Sequence, residues 1–167
     1  MPFIEKDLEF NFAGSIQALQ FDDTTFHGHS SMKRVDFITE HDDFYRFIEV
    51  KDPDIPAATE QNKADFLQNL QSGKLINSFA GKYRDSLLFR NLEGKTDKPV
   101  DYIVLLSMST LDPAMLINKI DTLHREIPIN HNSWPNSSAR SCVILNLEQY
   151  KTRFGEASVR RISESGE

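Results

Sequence analysis

The chain has 167 residues, 39% hydrophobic and 26% charged, with a net charge of −6. These values fit one ordinary globular domain spanning 1–167, with enough chain for a sizeable core. The acidic balance argues against a general nucleic-acid coat protein, whose affinity would come from many Lys and Arg contacts, but it leaves room for an enzyme with a local basic groove. Cys142 is the only cysteine, so no intrachain disulfide can form and a reducing compartment is expected. The longest apolar run, Tyr102-Ile103-Val104-Leu105-Leu106, has strand length and falls far short of a membrane span. The opening Met-Pro-Phe-Ile-Glu-Lys-Asp carries acids where a secretory signal would carry bases, so a cytoplasmic location is expected.

Residues 3–21 fit two patterns. Ile4, Leu8, Phe12, Ile16 and Leu19 recur at helical spacing, whereas Leu8, Phe10 and Phe12 alternate as in a strand. Spacing alone leaves both open, and Glu5 and Glu9 read most simply as solvated acids. Residues 22–32 read as a loop. His27-Gly28-His29 is an H-x-H pair, but no further His or Cys stands at the spacing a zinc site needs.

Lys33 to Asp52, KRVDFITEHDDFYRFIEVKD, is the hairpin the chain is built around. Val35, Phe37 and Ile38 precede the polar His41-Asp42-Asp43, and Phe44, Tyr45, Phe47, Ile48 and Val50 follow it. Folding the arms about Asp42 brings Asp36 opposite Ile48 or Glu49. Side chains alternate along a strand, so Glu49 and Lys51 point the same way. Two carboxylates and an ammonium therefore converge. Close carboxylates in a partly dry place repel, and a divalent cation relieves this. The plainer reading is a cross-strand ion pair of Lys51 with Glu49 or Asp36, which is common and weak.

Pro53-Asp54-Ile55-Pro56 ends the strand, and a helix is expected from about Ala57 to a break at Ser72-Gly73. A second helix over Lys74 to Arg90 shows Leu75, Ile76, Phe79, Tyr83 and Leu87 on one stripe and Lys82, Arg84 and Arg90 on the other face. These bases are either a solvated face or contacts to a phosphate backbone, with Lys82 and Arg84 the candidate nucleic-acid-binding residues. Gly94-Lys95-Thr96 is not a phosphate-binding loop, because Phe89 stands where the first glycine is required. Val100 to Ser107 is the most apolar strand and is expected to be central. Asp112-Pro113 starts a helix that Ile127-Pro128 ends. The polar loop 128–140, with Trp134, is long for a compact domain and reads as a functional or mobile segment. A buried strand over Cys142–Leu145, a helix capped by Asn146 and an edge strand at Val159–Ile162 complete the chain. An antiparallel start followed by a strand–helix–strand unit implies an α/β fold, a mixed β-sheet flanked by helices.

Asp36, followed by Glu49-Val50-Lys51 at the end of the next strand, resembles the D…(D/E)-x-K signature of the PD-(D/E)XK nuclease superfamily, with Val35 where a proline often stands. The resemblance extends to the coarse order of elements and implies a restriction-endonuclease-like core, which favours an opening helix over residues 3–21 and offers Glu5 or Glu9 as an extra acid beside the metal. It implies that Asp36 and Glu49 bind Mg²⁺ or Mn²⁺ with help from the Val50 carbonyl, and that Lys51 assists the attacking water. The expected activity is metal-dependent hydrolysis of phosphodiester bonds, with DNA as the expected substrate, no membrane, and a homodimer compatible with the family. Two alternatives stay open: a catalytically inactive nuclease-like fold serving as a nucleic-acid or protein binding module, and a surface ion cluster on an unrelated α/β domain.

Overall fold

A computed structural model describes residues 2–27 and 30–164. Of the His27-Gly28-His29 pair, Gly28 and His29 lie outside the described residues, and only the backbone of His27 is described. The elements are strands β1 (Phe3–Glu5), β2 (Leu8–Phe10) and β3 (Gln17–Gln20), the short helix α1 (Thr24–His27), strands β4 (Phe37–Glu40) and β5 (Tyr45–Lys51), and helices α2 (Glu60–Gln71) and α3 (Lys74–Leu92). Strand β6 (Val100–Leu106), helix α4 (Pro113–Glu126), strand β7 (Ser141–Leu145), helix α5 (Leu147–Phe154) and strand β8 (Val159–Arg161) follow. Among the described residues, no helix is long and apolar enough to cross a membrane.

The fold class is α/β, with a mixed five-stranded sheet in the order β3-β4-β5-β6-β7 and a smaller antiparallel sheet, β1-β2-β8, flanked by helices. β3, β4 and β5 run antiparallel, while β5, β6 and β7 run parallel. Parallel neighbours need a long crossover. The helix pair α2–α3 supplies it between β5 and β6, and α4 supplies it between β6 and β7. The two helices that follow the hairpin are therefore the connection that makes β5 and β6 parallel neighbours.

Every residue of β6 is buried, as expected of a strand covered on both faces. One apolar layer joins Ile38, Tyr45, Phe47, Tyr102, Val104 and Ile144 to Ile76, Phe79 and Tyr83 of α3 and to Leu116 and Leu123 of α4. The other joins Phe37, Ile48, Ile103 and Leu105 to Leu8, Phe10 and Val159 of the small sheet and Tyr150 of α5. Alternation along β5 and β6 sends successive residues to opposite layers.

The opening helix expected for residues 3–21 does not form. Lys6 takes a positive φ of 55° and Gly14 one of 87°, and each marks a reversal that a helix cannot contain. Between these turns the strand pattern wins: Leu8 and Phe10 are buried, and Phe10, Phe12 and Phe3 pack on Phe37 with ring centroids 5.1, 5.4 and 6.2 Å away. The remaining boundaries fall close to expectation. Thr59 caps α2, Asp112 caps α4 with Pro113 in the first turn, and Asn146 caps α5. Cys142 is buried in β7 as a small core residue.

Candidate metal and phosphodiester site

The turn of the central hairpin closes where the His41 N–H donates to the Phe44 carbonyl at 2.9 Å. From there the register runs Glu40↔Tyr45 to Phe37↔Ile48, so Asp36 sits one step further, level with Glu49. Strand β3 ends at the same height: Gln20 pairs with Phe37, and the Phe21 N–H donates to the Asp36 carbonyl at 2.7 Å. Asp22, the next residue, is thereby brought beside Asp36. The β1–β2 turn delivers Glu5 from the small sheet. Helix α3 is tied to the segment before β4 by two bonds, Lys33 N–H to the Asp85 carboxylate at 2.8 Å and Val35 N–H to Ser86 Oγ at 3.0 Å. These bonds set α3 so that Lys82, one turn earlier, reaches the acids.

The result is a half-dry cluster of four carboxylates. Glu49 is completely buried, and Asp36 is 4% exposed. Asp36 Oδ2 accepts the Val50 N–H at 2.6 Å. Lys82 Nζ donates to both Glu49 oxygens, at 2.7 and 2.9 Å, and lies 3.7 Å from Asp36 Oδ1. Lys51 Nζ is 2.8 Å from Glu49 Oε1. Glu5, Asp22 and Asp36 each offer a carboxylate oxygen, and these oxygens lie within 4.8 Å of one another. Asp22 Oδ1 is buried with no hydrogen-bond partner.

The electrostatics follow from this crowding. Burial, then the neighbouring Asp36 charge, raises the Glu49 pKa to about 7 despite both lysines. Burial and Asp36 also raise Glu5 and Asp22. Burial opposes the charge on Lys82, but Glu49 and Asp36 overcome it and the net shift is upward. Lys51 and Lys82, the two ammoniums in contact with the cluster, touch only Glu49 and Asp36, while Lys6 acts on Glu5 and Arg34 on Asp22 through their charge alone. Carboxylates crowded enough to raise one another's pKa, with a buried Asp22 oxygen that has no hydrogen-bond partner, fit a hard divalent cation that takes oxygen ligands.

Asp36, Glu49 and Lys51 thus come together as their spacing requires. Val50 takes part through its amide, which donates to Asp36. Lys82 points inward to the acids, and Arg90 is buried against Glu93 at 2.8 Å, so neither belongs to a solvated face. Arg84 donates to the Glu126 carbonyl at 3.0 Å, away from the cluster. The helix presents Lys82 and Arg90 inward because its covered side is broad, running from Ile76 to Arg90, while Arg84 is exposed. Glu9 pairs with Arg160 at 2.7 Å on the small sheet. Asp22 was not legible in advance: an Asp-Asp pair before two threonines has the pattern of a solvated loop, and only the pairing of β3 with β4 places it.

No protein-family model matches the chain, and no curated protein matches it in sequence. Among solved structures it is similar to the small subunit of the heterodimeric restriction endonuclease R.BspD6I, with a TM-score of 0.40 and 12% identity over 91% of this chain and 67% of that one.

Proposed function

We propose that the chain is a divalent-metal-dependent nuclease with a restriction-endonuclease-like core, hydrolysing phosphodiester bonds of DNA. The observation that carries this reading is the convergence of Asp36, Glu49 and Lys51 with Glu5, Asp22 and Lys82 in one partly buried cluster. Asp36, Asp22 and Glu5 would hold Mg²⁺ or Mn²⁺, with Glu49 beside them. When bound, the ion would supply Lewis acidity toward a phosphate oxygen and lower the pKa of a water.

The chain's own residues have separable tasks. The Val50 amide fixes the Asp36 carboxylate in one orientation. Lys51, about a quarter exposed in its side chain, touches one Glu49 oxygen and leaves Asp36 to Lys82, so it is the ammonium free to position the attacking water or offset charge on the phosphoryl oxygens. Lys82 neutralises the buried Glu49 and keeps the pair of acids compatible with a folded hairpin. Arg34 has a buried Nη1 with no acceptor, a donor for a phosphate oxygen at the edge of the cluster. Phosphoryl transfer asks mainly for positioning and electrostatics, and these groups supply both.

The test is incubation of supercoiled plasmid, linear duplex and single-stranded RNA with Mg²⁺. Cleavage of DNA by wild type that is lost in Asp36→Ala and in Lys51→Ala supports the reading. Metal binding without cleavage of any substrate would favour a nuclease-like fold used as a binding module. Neither binding nor cleavage would leave the cluster as a structural ion network.

A further inference from the structure

At the other end of β5, on the opposite face from Glu49, the sheet carries an uncompensated excess of arginine. Arg46 is the second residue of β5, with Thr39 and Asp101 beside it in the ladders and Ser141 beyond Asp101. Its guanidinium lies 4.3 Å from the ring centre of Phe154 and 5.3 Å from that of Phe44. The Arg140 guanidinium lies 4.3 Å from Phe44, and that of Arg153 lies 5.7 Å from Phe154. Two aromatic rings thus gather three guanidinium groups into one patch.

One carboxylate is bonded within it, and that carboxylate is spent. Asp101 Oδ1 accepts from Arg140 Nε at 2.9 Å and from Ser141 Oγ at 2.8 Å, and its Oδ2 accepts from Arg140 Nη2 at 2.6 Å. Asp43 also acts on Arg140 through its charge. The guanidinium groups of Arg46 and Arg153 have neither a hydrogen bond nor an ion pair among the described residues, and Arg46 Nε is buried with no acceptor. Burial lowers the Arg46 pKa, with Tyr150 and Asp101 opposing and Arg153 and Arg140 adding to the shift. A buried polar donor without an acceptor is costly, and a cation among cations more so. The planar fork of arginine matches a phosphate with two parallel bonds.

We propose that this patch is an anion site that takes a phosphate group, held by Arg46 and Arg153 with Arg140 at its edge. Phe44 already carries His41 stacked at 4.3 Å and the Arg140 guanidinium at 4.3 Å, and Phe154 carries the Arg46 guanidinium at 4.3 Å and Tyr150 at 4.7 Å, so both rings are already engaged. Recognition is therefore of the phosphate itself, whether the terminal phosphate of a small ligand or a phosphodiester of a nucleic-acid backbone. The site shares no residue with the acidic cluster and stands whether or not the chain is a nuclease.

The test uses metal-free protein with EDTA and follows the arginine Nε–H signals by nitrogen-15 NMR. Inorganic phosphate is titrated against chloride at matched ionic strength, followed by a 5′-mononucleotide and by a duplex oligonucleotide without terminal phosphates. The expected result is a saturable shift of the Arg46 Nε–H signal with phosphate. Arg46→Gln and Arg153→Ala should each weaken phosphate binding at least five-fold, and Lys63→Ala, beside Asp54 beyond the other end of β5, should leave it unchanged. The mononucleotide alone moving Arg46 identifies a terminal phosphate as the source, and the oligonucleotide moving it identifies a backbone phosphate. An Arg46 signal unmoved by all three probes overturns the proposal, as does equal phosphate affinity in wild type and Arg153→Ala. Arg153 is exposed at the end of α5, so this second variant keeps the test decisive even if Arg46→Gln fails to fold.

Discussion

Replacing Lys82 by methionine removes the one ammonium that touches both buried acids while keeping most of the side-chain bulk on α3. Glu49 would keep only Lys51, on one oxygen, and Asp36 would lose its nearest cation. Breaking a buried pair by deleting one partner costs about 3–5 kcal/mol, because the other charge is left desolvated. Glu49 already has its pKa raised to about 7, so part of this cost is avoided by taking up a proton, and the lower end, about 3 kcal/mol, is expected near neutral pH. For a domain of this size each kcal/mol is worth about 2–4 °C, so melting should fall by roughly 6–12 °C. The assay is differential scanning calorimetry of the metal-free protein, repeated with Mg²⁺, which should narrow the gap by replacing the lost charge. The double variant Lys82→Met with Glu49→Gln should recover most of the loss, since the two positions are coupled through direct contact. A melting temperature within about 1 °C of wild type would refute the placement of Lys82 among the acids.

Other expectations follow from the same contacts. Glu49 binds protons more tightly folded than unfolded, so its contribution to stability is complete below its ordinary pKa of 4.5 and is lost as pH rises toward about 7, by up to roughly 3 kcal/mol; Glu49→Gln should flatten that part of the stability–pH curve in metal-free protein. Lys51→Ala should abolish cleavage while a calorimetric Mg²⁺ signal persists, and Lys51→Arg should rescue poorly, because a guanidinium is larger and cannot give up a proton. Arg161→Met should cost about 3 kcal/mol by chemical denaturation, since it strands the fully buried Asp52 carboxylate that Arg161 Nη2 holds at 2.8 Å. Asn146→Ala should cost about 1 kcal/mol, because Asn146 Oδ1 accepts the Gln149 N–H at 2.8 Å as the cap of α5.

What could be read in advance divides along the range of the interactions. The hairpin was legible because period-two patterning and a polar turn are local, and they fix which residue faces which: Asp36, Glu49 and Lys51 meet for that reason. The caps at Asp112 and Asn146 are likewise written in consecutive residues. The helical reading of residues 3–21 fails because five apolar positions satisfy helical spacing, while the turns at Lys6 and Gly14 that decide the matter carry no apolar signal. Lys82 reads from the sequence as a solvated or phosphate-contacting base, because periodicity tells which stripe of a helix is apolar, not how wide a face the tertiary structure covers. Asp22 and Glu5 join the site through strand pairing between distant segments, β3 with β4 and the small sheet against the large one, which no short window of sequence contains. The arginine patch has the same origin, since Arg46, Arg140 and Arg153 come from three elements joined by the sheet register and by α5.

The central claim is that the acidic cluster is a divalent-cation site, and a manganese titration followed by electron paramagnetic resonance tests it most directly. The account predicts saturable Mn²⁺ binding to wild type, competed by Mg²⁺, and at least ten-fold weaker binding in Asp36→Asn and in Asp22→Asn. No bound Mn²⁺ at millimolar concentration, or binding that neither substitution weakens, would contradict it.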